Sequence, residues 1–214
     1  MNFKQKQTEI TKARLLATAF AIFSQRGYHA ASIEDIAAEA GISKANIYYH
    51  FKSKEGLFLA LLDQHEVEWK KLWEEKRKSC DTVGEMLGQM IEASLTRGCH
   101  HPLSRAASEF TVEAWCNSEE GKLRIAEKTE EQRRLFNDLI QTGIQSGEFD
   151  PRINSVQVSF VLESLLRGMS EMVRQMEIQE ALTLYRSALD VFLHGITQKN
   201  KQKETSLDME DKKI

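Results

Sequence analysis

Residues 32 to 54, SIEDIAAEAGISKANIYYHFKSK, constrain this chain more than any other stretch, because they specify two short helices separated by a turn too tight for anything else. Ser32 is a good N-cap, with Asp35 three residues on, and Ile33, Ile36, Ala37 and Ala40 then recur at helical spacing. Gly41 supplies left-handed backbone to end that helix. Ile42 drops into the core, and Ser43 caps a second helix that starts at Lys44. Two helices joined by so few residues must pack at a steep angle, the helix-turn-helix geometry in which the second helix meets base edges and the first crosses the DNA backbone.

Within the second helix, Ile47 and Phe51 form the inward stripe, which turns Lys44, Ala45, Asn46, Tyr48, Tyr49 and His50 outward. Two tyrosines, an asparagine and a histidine on one solvated turn gain nothing in an isolated domain. Against DNA they supply donors, acceptors and flat apolar surfaces for bases and phosphates. Lys52 and Lys54 flank Ser53, the cap of the next helix, where positive charge and free N–H groups suit a phosphate.

Residues 10 to 62 resemble the DNA-binding domain of the tetracycline-repressor (TetR) family of bacterial regulators. The resemblance rests on Phe23-Ser24-Gln25-Arg26-Gly27-Tyr28, on Ser32-Ile33-Glu34-Asp35-Ile36-Ala37, and on Gly41-Ile42-Ser43 followed by Ile47-Tyr48-Tyr49-His50-Phe51, Ser53-Lys54 and Leu57. It implies that Lys44, Ala45, Asn46 and Tyr49 read bases. It also implies that Tyr48, His50 and Lys54 mainly meet phosphates and that Ser32 adds a phosphate contact at a helix start. Ala31 departs from the threonine often found before that serine, which puts one backbone contact in doubt.

Charge is distributed accordingly. The first 60 residues carry eight Lys or Arg against five acids, a surplus of three, so the other 154 hold minus six of the chain's net −3. An acidic body on a mildly basic head aims one end at phosphates, and two heads are then needed for affinity. Three cysteines, Cys80, Cys99 and Cys116, make no C-x-x-C, and the polar N-terminus lacks an apolar signal-peptide region, so a cytoplasmic location is expected. The longest apolar run, residues 57–62, falls far short of the ~20 residues needed to span a bilayer.

Two prolines in 214 residues and no alternating apolar pattern predict an all-α chain. Periodicity places helices at about 8–26, 32–40, 44–50, 54–79, 82–98, 103–116, 119–146, 153–177 and 179–197. The expected organisation is an N-terminal three-helix helix-turn-helix DNA-binding domain (1–60), a larger C-terminal helical ligand-binding and dimerisation domain (61–197) and a polar, disordered tail (198–214). The fourth helix joins head to body without a flexible linker, so a push near Trp69 and Trp73 can move the recognition helix as a rigid unit.

In the last two helices, Val158, Leu162, Leu165, Met169, Met172 and Met176 recur at alternating spacings of four and three, as do Ala181, Tyr185, Ala188 and Phe192. Each helix also carries a second apolar flank, Val161, Leu166 and Val173 on one and Leu182, Leu184, Leu189, Val191 and Ile196 on the other. One face can pack on the parent domain while the other meets a partner. Two such helices from each of two chains would make a four-helix bundle; an intrachain hairpin is the alternative. Because these regulators dimerise through their last two long helices, the family resemblance favours the bundle, with Val158, Leu162, Leu165, Met169, Met172, Met176, Tyr185, Ala188 and Phe192 at the interface.

An effector pocket is expected among Trp69, Trp73, Met86, Met90, Phe110, Glu113, Trp115 and Phe136, although each apolar member alone is as well explained by core packing. Glu109 and Glu113 beside Phe110 and Trp115 would suit an organic cation. Cys99-His100-His101, with Cys116, is the one candidate metal or thiol cluster, but adjacent residues rarely reach one metal together, and neither a metal nor a cofactor is expected. No nucleophile elbow, phosphate loop or H-E-x-x-H motif is present. The sequence reads as a homodimeric repressor on a palindromic double-stranded operator, released by a small apolar or cationic effector. The alternatives are an architectural or replication-linked DNA binder without inducer, and a helical enzyme or carrier with a vestigial head.

Overall fold

Side-chain caps fix where the early helices begin. Ser32 Oγ accepts from the Asp35 N–H, Ser43 from Asn46 and Ser53 from Gly56, each three residues into the helix it starts. The computed structural model describes residues 3–97 and 101–197. Within them the elements are α1 (Phe3–Ala30), α2 (Ile33–Ala40), α3 (Lys44–Phe51), α4 (Lys54–Lys76), α5 (Val83–Arg97), α6 (Ser104–Asn117), α7 (Glu119–Gln145), α8 (Ser155–Met172) and α9 (Ile178–Ile196), with 3-10 turns after α4 and α8. The described residues contain no strand beyond an isolated bridge between Phe149 and Thr197. The all-α expectation therefore holds. The Cys99-His100 pair and the tail 198–214 lie outside the described residues.

Gly41 and Gly27 both stand where positive φ favours glycine. Gly41 (φ 61°) ends α2 in the left-handed region, and its N–H returns to the Ala37 and Ala38 carbonyls. Gly27 (φ 81°, ψ 177°) breaks α1 near the expected end of the first helix. This backbone region is almost closed to other residues.

The chain forms two compact units. The first comprises Met1–Ser79 and Ala93–Glu130. Its core runs through the head and into α6: Leu15, Phe23, Ile36, Ile47, Leu57, Phe58, Ala106 and Phe110 are all buried in one cluster. Phe23, Tyr28, Phe58 and Phe110 form its aromatic centre, with Phe58 4.9 Å from Phe23, 5.1 Å from Tyr28 and 5.1 Å from Phe110 between ring centroids. The helix-turn-helix thus shares its core with α6. Outside that core, Asp63 and Glu66 of α4 pair with Arg124 and Lys128 of α7 at 2.7 and 2.6 Å.

The second unit comprises Cys80–Glu92 and Glu131–Ile214. Glu148 caps the start of α5, accepting from the Val83 and Gly84 N–H groups at 2.7 and 2.8 Å. Asn154 caps α8. Glu163, buried in this unit, is held by Arg133 (3.0 Å) and Arg167 (2.9 Å), which supply the paired charge that a buried carboxylate needs.

Candidate nucleic-acid interface

α3 presents one face inward and one to solvent. Ile47 is fully buried and Phe51 half-buried, while Lys44, Ala45, Tyr48 and Tyr49 are exposed, Tyr49 to 74 %. Asn46 and His50 are half-buried. The Asn46 amide oxygen is buried without a hydrogen-bond partner, and the His50 ring packs edge-on against Tyr49 at 5.0 Å. The six outward residues expected from periodicity therefore divide into four exposed and two partly covered side chains.

Lys54 and Ser32 have intramolecular duties. Lys54 Nζ donates to the His29 carbonyl at 3.5 Å and sits 4.3 Å over the Tyr28 ring. Burial pushes its pKa down even though Glu113 and Glu109 act to raise it. Burial likewise drives the Tyr28 phenol far above its ordinary value, with help from the nearby Glu113 and Glu55 carboxylates. The Ser32 hydroxyl donates to Asp35 at 2.6 Å while accepting from the Asp35 N–H. Asp35 also accepts from Arg26 at 3.0 Å. An anion at this helix start would thus meet backbone N–H groups more readily than the hydroxyl proton.

Two relationships escape sequence periodicity altogether. Lys44 Nζ lies 2.5 Å from Glu34 Oε1, joining α3 to α2 across ten residues. His29, just past the Gly27 break, is held by α6: its backbone N–H donates to Glu109 at 3.0 Å and its Nδ1 lies 2.9 Å from Glu113.

The residues expected to line an effector pocket are divided between the two units. Phe110 belongs to the aromatic centre of the first unit and Glu113 turns to His29, so neither offers a cage for a cation. The inner face of α6 is Ala106, Phe110 and Ala114, and Trp115, one residue further round, is 60 % exposed. Trp69 and Trp73 do come together, stacked nearly parallel with centroids 6.3 Å apart. Trp73 is only 4 % exposed and its indole N–H has no partner. Met90 and Phe136 are buried and Met86 half-buried, all in the second unit. Among the described residues no group of three His, Cys, Asp or Glu side chains could hold a metal ion.

The seam expected at a dimer interface also divides. Leu162, Met169, Tyr185 and Phe192 are buried within the single chain, Val158, Leu165, Met176 and Ala188 are half-buried, and Met172 is 67 % exposed. Exposed apolar side chains lie instead on the second flank, at Val161 of α8 and at Leu184 and Val191 of α9, together with Met172. A 3.5-residue seam drifts around a 3.6-residue helix. The regular spacing therefore mixes inward and outward positions.

Comparison with known proteins agrees with this architecture. The family described as "Bacterial regulatory proteins, tetR family" matches residues 15–61, and "QacR-like protein, C-terminal region" matches residues 65–198. The transcriptional regulator QacR of Staphylococcus aureus is 29 % identical over 190 residues, covering 87 % of this chain and 98 % of that protein. The structure of the ketosteroid transcriptional regulator KstR2 of Mycobacterium tuberculosis superposes with a TM-score of 0.63 at 26 % identity, covering 88 % of this chain and 95 % of that one. A transcriptional regulator from Saccharomonospora viridis, solved with choline, shares the fold with a TM-score of 0.76 at 22 % identity, covering 89 % and 100 %. The chain belongs to the tetR family of bacterial regulatory proteins, with a QacR-like C-terminal region. It is a DNA-binding transcriptional regulator. No described helix is long and apolar enough to cross a membrane.

Proposed function

We propose that the outward face of α3 reads a palindromic operator in the cytoplasm, that two chains bind it together through α8 and α9, and that a small apolar or cationic molecule releases them. The observation that carries this reading is the exposed Lys44, Ala45, Tyr48 and Tyr49 surface on a short helix whose opposite side is anchored by the fully buried Ile47. Two exposed tyrosines at that position suit thymine methyls and phosphates. The head of residues 1–60 supplies recognition and residues 61–197 supply effector binding and pairing.

Signals from the effector have two covalent or packed routes to the head within the first unit. One is α4, which carries Trp69 and Trp73 and begins at Lys54. The other is α6, which grips the end of α1 through Phe110, Glu109 and Glu113. A ligand acts only through its differential affinity for two states, and DNA must weaken the ligand by the same factor as the ligand weakens DNA. The Trp69/Trp73 stack, with its unpartnered indole N–H, is the better candidate for ligand contact than Trp115.

Selection from a randomised duplex pool tests the operator reading. The wild-type chain is expected to recover a palindrome with half-sites about 34–36 Å apart. Tyr49→Ala is expected to lose about 1–3 kcal/mol of discrimination at particular base positions. Recovery of no sequence preference would move the protein to the architectural class of DNA binder.

A further inference from the structure

Lys44 opens the recognition helix, yet its ammonium is already engaged by Glu34, although both side chains are more than half exposed and either could point into solvent. Glu34 stands in the first turn of α2, where its carboxylate also accepts from its own backbone N–H, while Asp35 pairs with Ser32 and Arg26. The Lys44 hydrogen bond holds the Glu34 carboxyl below the usual carboxylate range. A lysine in the first turn of a helix sits at the positive end of the dipole, and a carboxylate on α2 offsets that.

We infer that Glu34 is a specificity-determining residue of operator recognition, positioning Lys44 for the acceptor pair of a guanine edge and withholding it from phosphates. This inference rests on the operator reading above. An ammonium has three donors, so with one kept on Glu34, two remain for acceptors such as guanine O6 and N7 in the major groove. On a non-specific duplex a phosphate at Lys44 would have to sit beside the Glu34 carboxylate or leave that carboxylate unpaired in the negative potential of the backbone, and either arrangement is repulsive. The carboxylate therefore lowers non-specific affinity more than specific affinity, which raises their ratio, the quantity that matters among many competing sites.

The test compares wild type, Glu34→Gln, Glu34→Asp and Lys44→Met on two probes, the duplex that wild type selects from a randomised pool and a scrambled duplex of equal length, across a salt series. Glu34→Gln is expected to bind the scrambled duplex about five- to tenfold more tightly near ~0.1 M salt, with a log–log salt slope steeper by about 0.9, because one more cation is free for a phosphate. Affinity for the selected duplex is expected to change less than about twofold, within the cost of a single weak contact. Repeated selection with Glu34→Gln is expected to lose a guanine preference at one position per half-site. Lys44→Met loses the same preference, and adding Glu34→Gln to it changes the preference no further. Glu34→Asp, which keeps the charge, is expected to retain the wild-type slope. Equal weakening on both probes, or unchanged slopes and preferences, would overturn the role of Glu34 while leaving operator recognition intact. If wild type selects no sequence, operator recognition and this inference fail together.

Discussion

Glu113 of α6 reaches the imidazole of His29 at 2.9 Å, so a helix more than eighty residues along the chain holds the segment that enters the helix-turn-helix. The same turn of α6 supplies Glu109 to the His29 N–H and Phe110 to the Tyr28 ring at 5.2 Å. A shift of α6 would therefore be felt at the end of α1 and, through the Lys54 contact with the His29 carbonyl, at the start of α4.

Because both partners are partly exposed, the His29–Glu113 pair is expected to be worth only about 0.2–1 kcal/mol. A double-mutant cycle of His29→Gln and Glu113→Gln, followed by urea unfolding, measures it directly. Additive single effects would show that the contact carries no energy of its own.

Replacement of Gly27 by alanine is expected to be far more costly. Its backbone stands at φ 81°, and an added Cβ would lie 2.6 and 2.7 Å from the Glu109 oxygens and 2.8 Å from Arg105 Nη2. The backbone strain alone is about 1–3 kcal/mol, and the crowding adds to it unless Glu109 and Arg105 swing away. The urea midpoint is expected to fall with an unchanged m-value. A midpoint equal to wild type would mean that the α1 break relaxes without loss.

The acid limb of stability is expected to depend on Glu66. Burial pushes its carboxyl up, but hydrogen bonds from Lys128 and Lys70 outweigh that and hold it at about 2, against an ordinary 4.5. A carboxyl lowered in the folded state contributes stability that is complete above its unfolded pKa and is lost as pH falls through the folded one. Glu66→Gln is thus expected to destabilise the protein near neutral pH, with the difference from wild type shrinking between pH 4.5 and about 2. Urea midpoints at several pH values check the sign, and a gap that widens in acid would contradict it.

The features legible in the sequence were those with local causes. Caps at Ser32, Ser43 and Ser53, the Gly41 turn and the Ile47 stripe depend on neighbours within four residues, and helix bounds followed from them. The family motif lay in the same stretch. What periodicity could not supply were choices among several apolar faces and pairings across distant chain. Phe110 and Trp115 share a helix, yet one lies in the core and the other in solvent. Glu34 with Lys44 and His29 with Glu113 join different helices, so no i+3 or i+4 rule could find them.

Assembly offers the sharpest separation of inward from outward positions on α8 and α9. Met172 and Val191 are 67 % and 74 % exposed, so a glutamate at either is well solvated in a single chain and costs little there. If these positions, with Val161 and Leu184, meet a second copy, the same charge would be buried without a partner at the bundle and would disfavour pairing. Met172→Glu and Val191→Glu are therefore expected to give folded monomers with lowered affinity for a palindromic duplex. Leu162 is fully buried within its own chain, and Leu162→Glu is expected to unfold the second unit instead. Light scattering for mass and circular dichroism for helix content separate the two outcomes. Dimers of undiminished stability for both Met172→Glu and Val191→Glu would place the interface on another face of the molecule.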